Sequence, residues 1–218
     1  MTLAKAATDT KTSLLDAGEQ LFAEFGINGA SMRAITRAAG ANLAAVHYHF
    51  GSKAGLVRAV FRRRLEPLNR ERIEQLDELA ATGRERDIEG IVEAFVGPPL
   101  RMIDSEPGGR AFAQLLARAV QEPGAGSREL VLEQFRGVIE RFSAALHQAL
   151  PSLSRQEVLW RLHFMVGSLS FTAGLGFLVE RFAGAPSPAD DPASVIARLV
   201  SFLTGGMERP PTPPGGSA

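Results

Sequence analysis

The sequence predicts an all-α protein. Three observations carry that expectation. Apolar residues recur at helical spacing along most of the chain. Val, Ile and Thr never form alternating runs bounded by turn signals. Residues 31–56, SMRAITRAAGANLAAVHYHFGSKAGL, read as two short helices joined by a tight turn and running into the start of a third. With 218 residues, 45% hydrophobic and 22% charged, the chain is long enough to bury a real core.

Taken in order, Leu14, Leu15, Ala17, Leu21, Phe22 and Phe25 mark a first helix closed by Gly26. Ser31 is placed to cap the second helix, Asn42 the third (Leu43 to Tyr48) and Ser52 the fourth. Ala39-Gly40-Ala41 supplies the turn, where a positive φ suits glycine. A long helix from Lys53 passes through Leu56, Val60, Phe61, Leu65, Leu68, Ile73 and Leu76 and ends before Gly83, with a kink expected at Pro67. Asp87 to Asp104 is helical with a break expected at Gly97-Pro98-Pro99. Arg110–Gln121 and Ser127–Leu150 follow. Ser154-Arg155-Gln156-Glu157 is a capping box opening a helix to about Phe182. Residues 184–190 form a loop, and Asp191-Pro192 starts a last helix to Met207. Arg209–Ala218, RPPTPPGGSA, has nothing to pack and is expected to be disordered.

Composition narrows function. There is no Cys, hence no disulfide framework and no thiolate metal site. Met1–Ser13 is polar and lacks an apolar signal-peptide core, so a cytoplasmic location is expected. Net charge is zero but unevenly spread: residues 1–64 hold nine Lys+Arg against four Asp+Glu, +5, leaving 0 − 5 = −5 for the rest. A basic end on an acidic body suits DNA contact through that end. No G-x-S-x-G, H-E-x-x-H or Gly-rich loop with Lys is present, so no enzyme activity, metal or cofactor is expected.

A helix-turn-helix lays its second helix in the major groove. That helix would turn Leu43, Ala44, Ala45, His47 and Tyr48 to the groove, with Val46 and Phe50 in the core. Its direct readout is sparse and mostly apolar, so DNA shape would share in specificity.

Residues 12–60 resemble the DNA-binding domain of the TetR family of bacterial repressors. The resemblance rests on Leu21-Phe22-Ala23-Glu24-Phe25-Gly26, Ser31-Met32-Arg33-Ala34-Ile35, the turn Gly40, His47-Tyr48-His49-Phe50 and Lys53. Two residues depart from the pattern: His47, where an aromatic is common, and Thr36, where Ala is common. The resemblance implies DNA contacts from Arg33, Arg37, Asn42, Tyr48 and Lys53, Tyr48 and Lys53 being phosphate contacts. It also implies a small head (residues 12–60, after a disordered tail 1–11) joined by the long helix to a helical body (61–208) that dimerises and binds ligand, with a tail at 209–218. A dimeric repressor on a palindromic operator, released by a small effector, is the implied function. Asn42–Lys53 and Trp160–Gly167 are more loosely similar to a fatty-acid-responsive branch of the family, which implies a fatty acid or acyl-coenzyme A effector.

In the body, Phe95, Phe112, Phe135, Phe142, Trp160, Phe164 and Phe171 recur at helical spacing. Such residues are ordinary core or the lining of an apolar cavity, for which Gln114, Arg118 and His163 are the candidate polar anchors. Arg62-Arg63-Arg64 reads as a solvated face or as a guide for an acidic ligand. Leu162 to Val179 has no formal charge, yet its polar residues and glycines fit a buried helix packed on its own domain and on a partner subunit rather than a membrane span. Gly167 and Gly174 would allow close approach, with Leu169, Leu175, Leu199 and Phe202 completing a dimer patch. The competing reading is a helical lipid or small-molecule carrier with an incidental helix-turn-helix.

Overall fold

The structure, a computed structural model, describes residues 2–105, 108–121, 127–175, 181–182 and 191–211. Within them lie nine helices: α1 Thr2–Gly29, α2 Met32–Ala38, α3 Leu43–Phe50, α4 Lys53–Ala81, α5 Ile88–Ser105, α6 Gly109–Gln121, α7 Ser127–Ala149, α8 Arg155–Leu175 and α9 Pro192–Met207. The chain divides into two compact units, Met1–Pro67 with Gly108–Phe135, and Leu68–Pro107 with Arg136–Ala218. The division falls at Pro67 inside α4, a helix that runs on to Ala81. The first unit thus takes in α6 and the start of α7 together with the N-terminal helices.

In the first unit α1 packs against α6, α2 and α3, and α2 against α3. Leu14, Phe22, Ile35, Val46, Leu56, Val60 and Phe61 are buried to 1% exposure or less, and Phe61 meets Phe112 of α6 at 5.7 Å between ring centroids. Residues 2–11, expected as a tail, are the first turns of α1. Alanine and lysine favour helix without needing a packed face. Gly26 does not end α1 but interrupts it, with φ 74 and ψ 165. Phe25 is 55% exposed rather than part of the core.

Of Arg62-Arg63-Arg64, Arg62 is exposed as a solvated face would have it, whereas Arg63 and Arg64 are partly buried in ion pairs. Arg62 pairs with Glu66 on its own helix, while Arg63 bonds Asp16 (2.6 Å) and Glu19 (2.8 Å), and Arg64 bonds Glu19 at 2.6 Å. Two guanidinium groups and two carboxylates tie α1 to α4, and of the carboxylates Glu19 is buried. Gly108, φ +80, comes so near that a Cβ there would stand 3.1 Å from both Arg64 and Glu19.

In the second unit α5 packs against α9 and α8, and α9 against α8. Residues 94–100 of α5 are all buried. The break expected at Gly97-Pro98-Pro99 is absent: α5 runs through both prolines. Proline lacks the N–H that would bond the carbonyl four residues back. Pro99 therefore leaves the Phe95 carbonyl without its helical donor, and the buried Arg72 of α4 donates to it from Nε at 2.8 Å. The Arg72 guanidinium lies 4.3 Å from the Phe95 ring centroid and also donates to Asn69. Burial pulls its pKa down to about 9.

The same device recurs. Gly26 interrupts the α1 ladder, and Arg118 of α6 donates to the Ala23 carbonyl in the preceding turn at 3.0 Å. At the end of α9, Arg161 donates to Met207 and Arg209 carbonyls at 2.7 Å each, with Gly206 and Pro210 at 3.3 Å. Orphan carbonyls at helix ends and breaks need donors, and a guanidinium offers five. Asp191 caps α9, accepting from Ser194, as its place before proline predicts. No described helix is long and apolar enough to cross a membrane. Gly176, residues 177–180, 183–190 and 212–218 lie outside the described residues.

Candidate nucleic-acid interface

The α2–turn–α3–α4 segment is built by local chemistry. Ser31 Oγ accepts from Ala34 N at 3.1 Å, Asn42 Oδ1 from Ala45 N at 2.9 Å and Ser52 Oγ from Gly55 N at 3.1 Å, so all three expected caps form. At the end of α2, Ala41 N donates to Thr36 O (2.9 Å) and Gly40 N to Arg37 O (3.2 Å), with Gly40 at φ 62. That nested pair is a Schellman ending, which needs the left-handed residue that glycine supplies. Thr36 is buried and its hydroxyl donates back to Met32 O at 3.0 Å, so it fits the helix crossing without an orphan polar atom.

These ends aim α3. Val46 is buried at 1% exposure, whereas Leu43 is 46% and Tyr48 83% exposed. Ala44 and His47 are exposed, Ala45 and His49 half-buried. Phe50, expected in the core, is only half-buried and stands at the last residue of α3, which runs two residues past the expected Tyr48. Arg33 and Arg37 are exposed on α2, one helical turn apart. Lys53 is half-buried; its Nζ donates to Asn28 O at 3.4 Å, and burial lowers its pKa. One of its three protons is thus engaged and two remain for an anion. His47 Nδ1 meets the Gly51 carbonyl at 2.9 Å.

Gly55 stands outside the expected set of interface residues yet shapes it. A Cβ there would collide with the Phe50 carbonyl oxygen, so α4 begins against the α3 backbone with no room for a side chain. Its signal was a glycine in the first turn of a helix, a position it otherwise weakens.

The candidate ligand residues are divided between the two units. Phe112, Gln114, Arg118 and Phe135 belong to the first unit, and Phe95, Trp160, His163 and Phe164 to the second. Phe95 and Phe112 are core, packed on Phe142 and Phe61. Gln114 is exposed, Phe135 half-buried, and Arg118 serves the α1 break. Trp160, His163 and Phe164 form one ring cluster on the exposed side of α8, the Trp160 and Phe164 rings stacked at 5.9 Å. That side also carries Gly167, with nothing within 4 Å of a Cβ built there, and Phe171. Of the candidate dimer residues, Leu169 (7%) and Leu199 (9%) are buried in the unit's own core, while Phe202 is 72% exposed. The buried side of α8 carries Leu162, Met165 and Leu169, the opposite side the rings. Gly174 is half-buried; the Leu175 side chain lies outside the described residues.

An all-helical chain with a capped helix-turn-helix defines a class, and comparison with known proteins identifies the family within it. Residues 14–60 match the family described as "Bacterial regulatory proteins, tetR family", and residues 93–206 match "Tetracyclin repressor-like, C-terminal domain". The HTH-type transcriptional regulator SrpR of Pseudomonas putida is 29% identical over 150 residues, 67% of this chain and 62% of that protein. The HTH-type transcriptional regulator TtgW, also of Pseudomonas putida, is 30% identical over 115 residues, 52% of this chain and 76% of that protein. Among solved structures, the fatty acid degradation regulator FadR of Bacillus halodurans has a TM-score of 0.70 at 14% identity, covering 89% of this chain and 98% of that one. FadR of Bacillus subtilis, in complex with stearoyl-CoA, has a TM-score of 0.67 at 13% identity over the same shares. The chain belongs to the TetR family of transcriptional regulators, a family of regulators rather than enzymes.

Proposed function

We propose that this protein is a cytoplasmic transcriptional repressor that binds a palindromic operator as a dimer and leaves it when a small apolar or acyl effector binds. The observation that carries the DNA reading is α3 itself: a helix capped at both ends, buried through Val46 and presenting Leu43, Ala44, His47 and Tyr48 outward beside exposed Arg33 and Arg37. A two-fold operator places its half-sites about one helical turn apart, ~34 Å, so two copies of α3 are required. The exposed side of α8 with Phe202 of α9 supports self-association, because single domains rarely leave such aromatic surface in water. The likeness to a FadR solved with stearoyl-CoA supports an acyl effector.

Selection of bound duplexes from random DNA tests the first part. A two-fold consensus is the expected result, and no enrichment over the starting pool refutes it. Titration of long-chain acyl-coenzyme A into the preformed complex tests the second. A coupling of this kind weakens binding roughly 5–150-fold. Release by a small polar compound, with none by acyl compounds, overturns the acyl effector and leaves the repressor standing.

A further inference from the structure

We infer that His47 reads a base through an unprotonated ring nitrogen, as a hydrogen-bond acceptor selective for the exocyclic amino group of adenine or cytosine. The inference rests on the DNA reading of α3 and adds the chemistry of one contact. His47 Nδ1 stands 2.9 Å from the Gly51 carbonyl oxygen. A carbonyl can only accept, so Nδ1 carries the proton. In a neutral imidazole the other nitrogen then has a lone pair and no hydrogen.

The contact is built into the helix end. Gly51 N donates to His47 O at 3.0 Å while the His47 ring donates to Gly51 O, a reciprocal pair that closes α3 on itself. Gly51 is at φ 73, which turns its carbonyl back toward the helix. The ring is therefore held from one side, and the residue is exposed on the side that also carries Leu43 and Ala44, four and three residues before it. Leu43 and Ala44 offer only methyl groups, so the polar atoms of that face are Nε2 of His47 and the hydroxyl of Tyr48.

An acceptor repels phosphate oxygens, guanine O6 and N7, and thymine O4. It pairs with adenine N6 or cytosine N4, the major-groove amino donors. An aromatic hydroxyl at this position would donate as readily as accept, so this histidine turns a permissive contact into a selective one.

The test uses wild-type protein at mildly alkaline pH. Duplexes selected from random DNA should show one position per half-site restricted to adenine or cytosine on one strand. Replacing that base by its analogue lacking the amino group (purine, or 2-pyrimidinone) should weaken binding about 5- to 10-fold, the loss of one hydrogen bond. His47→Phe should lose the same factor on the selected base and nothing on the analogue. Three results overturn the inference: guanine or thymine preferred at that position, an analogue that binds unchanged, or a His47→Phe protein weakened equally on all DNA with a shallower salt slope, which marks a phosphate contact. A wild-type protein that enriches no sequence overturns the DNA reading itself, a result distinct from these three.

Discussion

Asp87 shows how much one side chain can decide. It stands before α5, accepts from Gly90 N at 2.9 Å and pairs with Arg84. The Gly90 bond, then Arg84, hold its carboxyl below the ordinary aspartate range against the opposing effect of burial. A carboxylate with a depressed folded pKa contributes stability above its unfolded value, lost as pH falls through the folded one. Asp87→Ala should cost about 1 kcal/mol at neutral pH in urea unfolding. Asp87→Asn should keep most of the cap and remove this residue's share of the acid sensitivity. An Ala variant with an unchanged midpoint refutes the cap. Arg72 makes the complementary case, a cation held on a neutral carbonyl. Arg72→Met should cost about 1–3 kcal/mol, since the Phe95 oxygen is left in the core without a donor; a smaller loss means that oxygen finds another partner.

Among the elements, those set by neighbours in sequence were legible in it. Ser31, Asn42, Ser52 and Asp191 cap through atoms three residues away, and Gly40 and Gly83 end helices by their own backbone freedom. What depends on distant partners was not. Nothing near Pro98-Pro99 announces that Arg72, more than twenty residues upstream, will supply the donor that keeps α5 whole. Nor does Arg62-Arg63-Arg64 announce Glu19. On α8, apolar residues on both sides leave the inner and outer faces undistinguished in sequence, and only the fold sets Leu169 inward and Trp160 outward. The junction of α3 and α4 follows the same logic. Gly55→Ala should abolish operator binding while circular dichroism loses little helix, because a methyl cannot fit against the Phe50 carbonyl. Lys53→Ala should instead weaken all DNA alike and flatten the salt slope by about one unit, and Arg33→Ala should cost roughly 1–3 kcal/mol at one position. Full operator affinity in Gly55→Ala would show that α4 can shift without moving α3.

For the molecule as a whole, self-association should run through the outward side of α8 and Phe202 rather than Leu169 and Leu199. Phe164→Glu or Phe202→Glu should give a monomer in sedimentation, with the charge placed in the middle of an apolar contact. Gly167→Trp should do the same by bulk. A wild-type monomer at micromolar concentration refutes the arrangement, and intact dimers of both glutamate variants move it elsewhere. The exposure of Tyr48 and Trp160 has an optical consequence. The sequence holds one tyrosine and one tryptophan, and the fold sets the first on α3 and the second on α8. Unlabelled protein thus carries one natural chromophore on each of its two candidate surfaces. Indole emission should shift to the blue as copies associate, and phenol absorbance should respond to DNA, so the two equilibria can be watched in one cuvette.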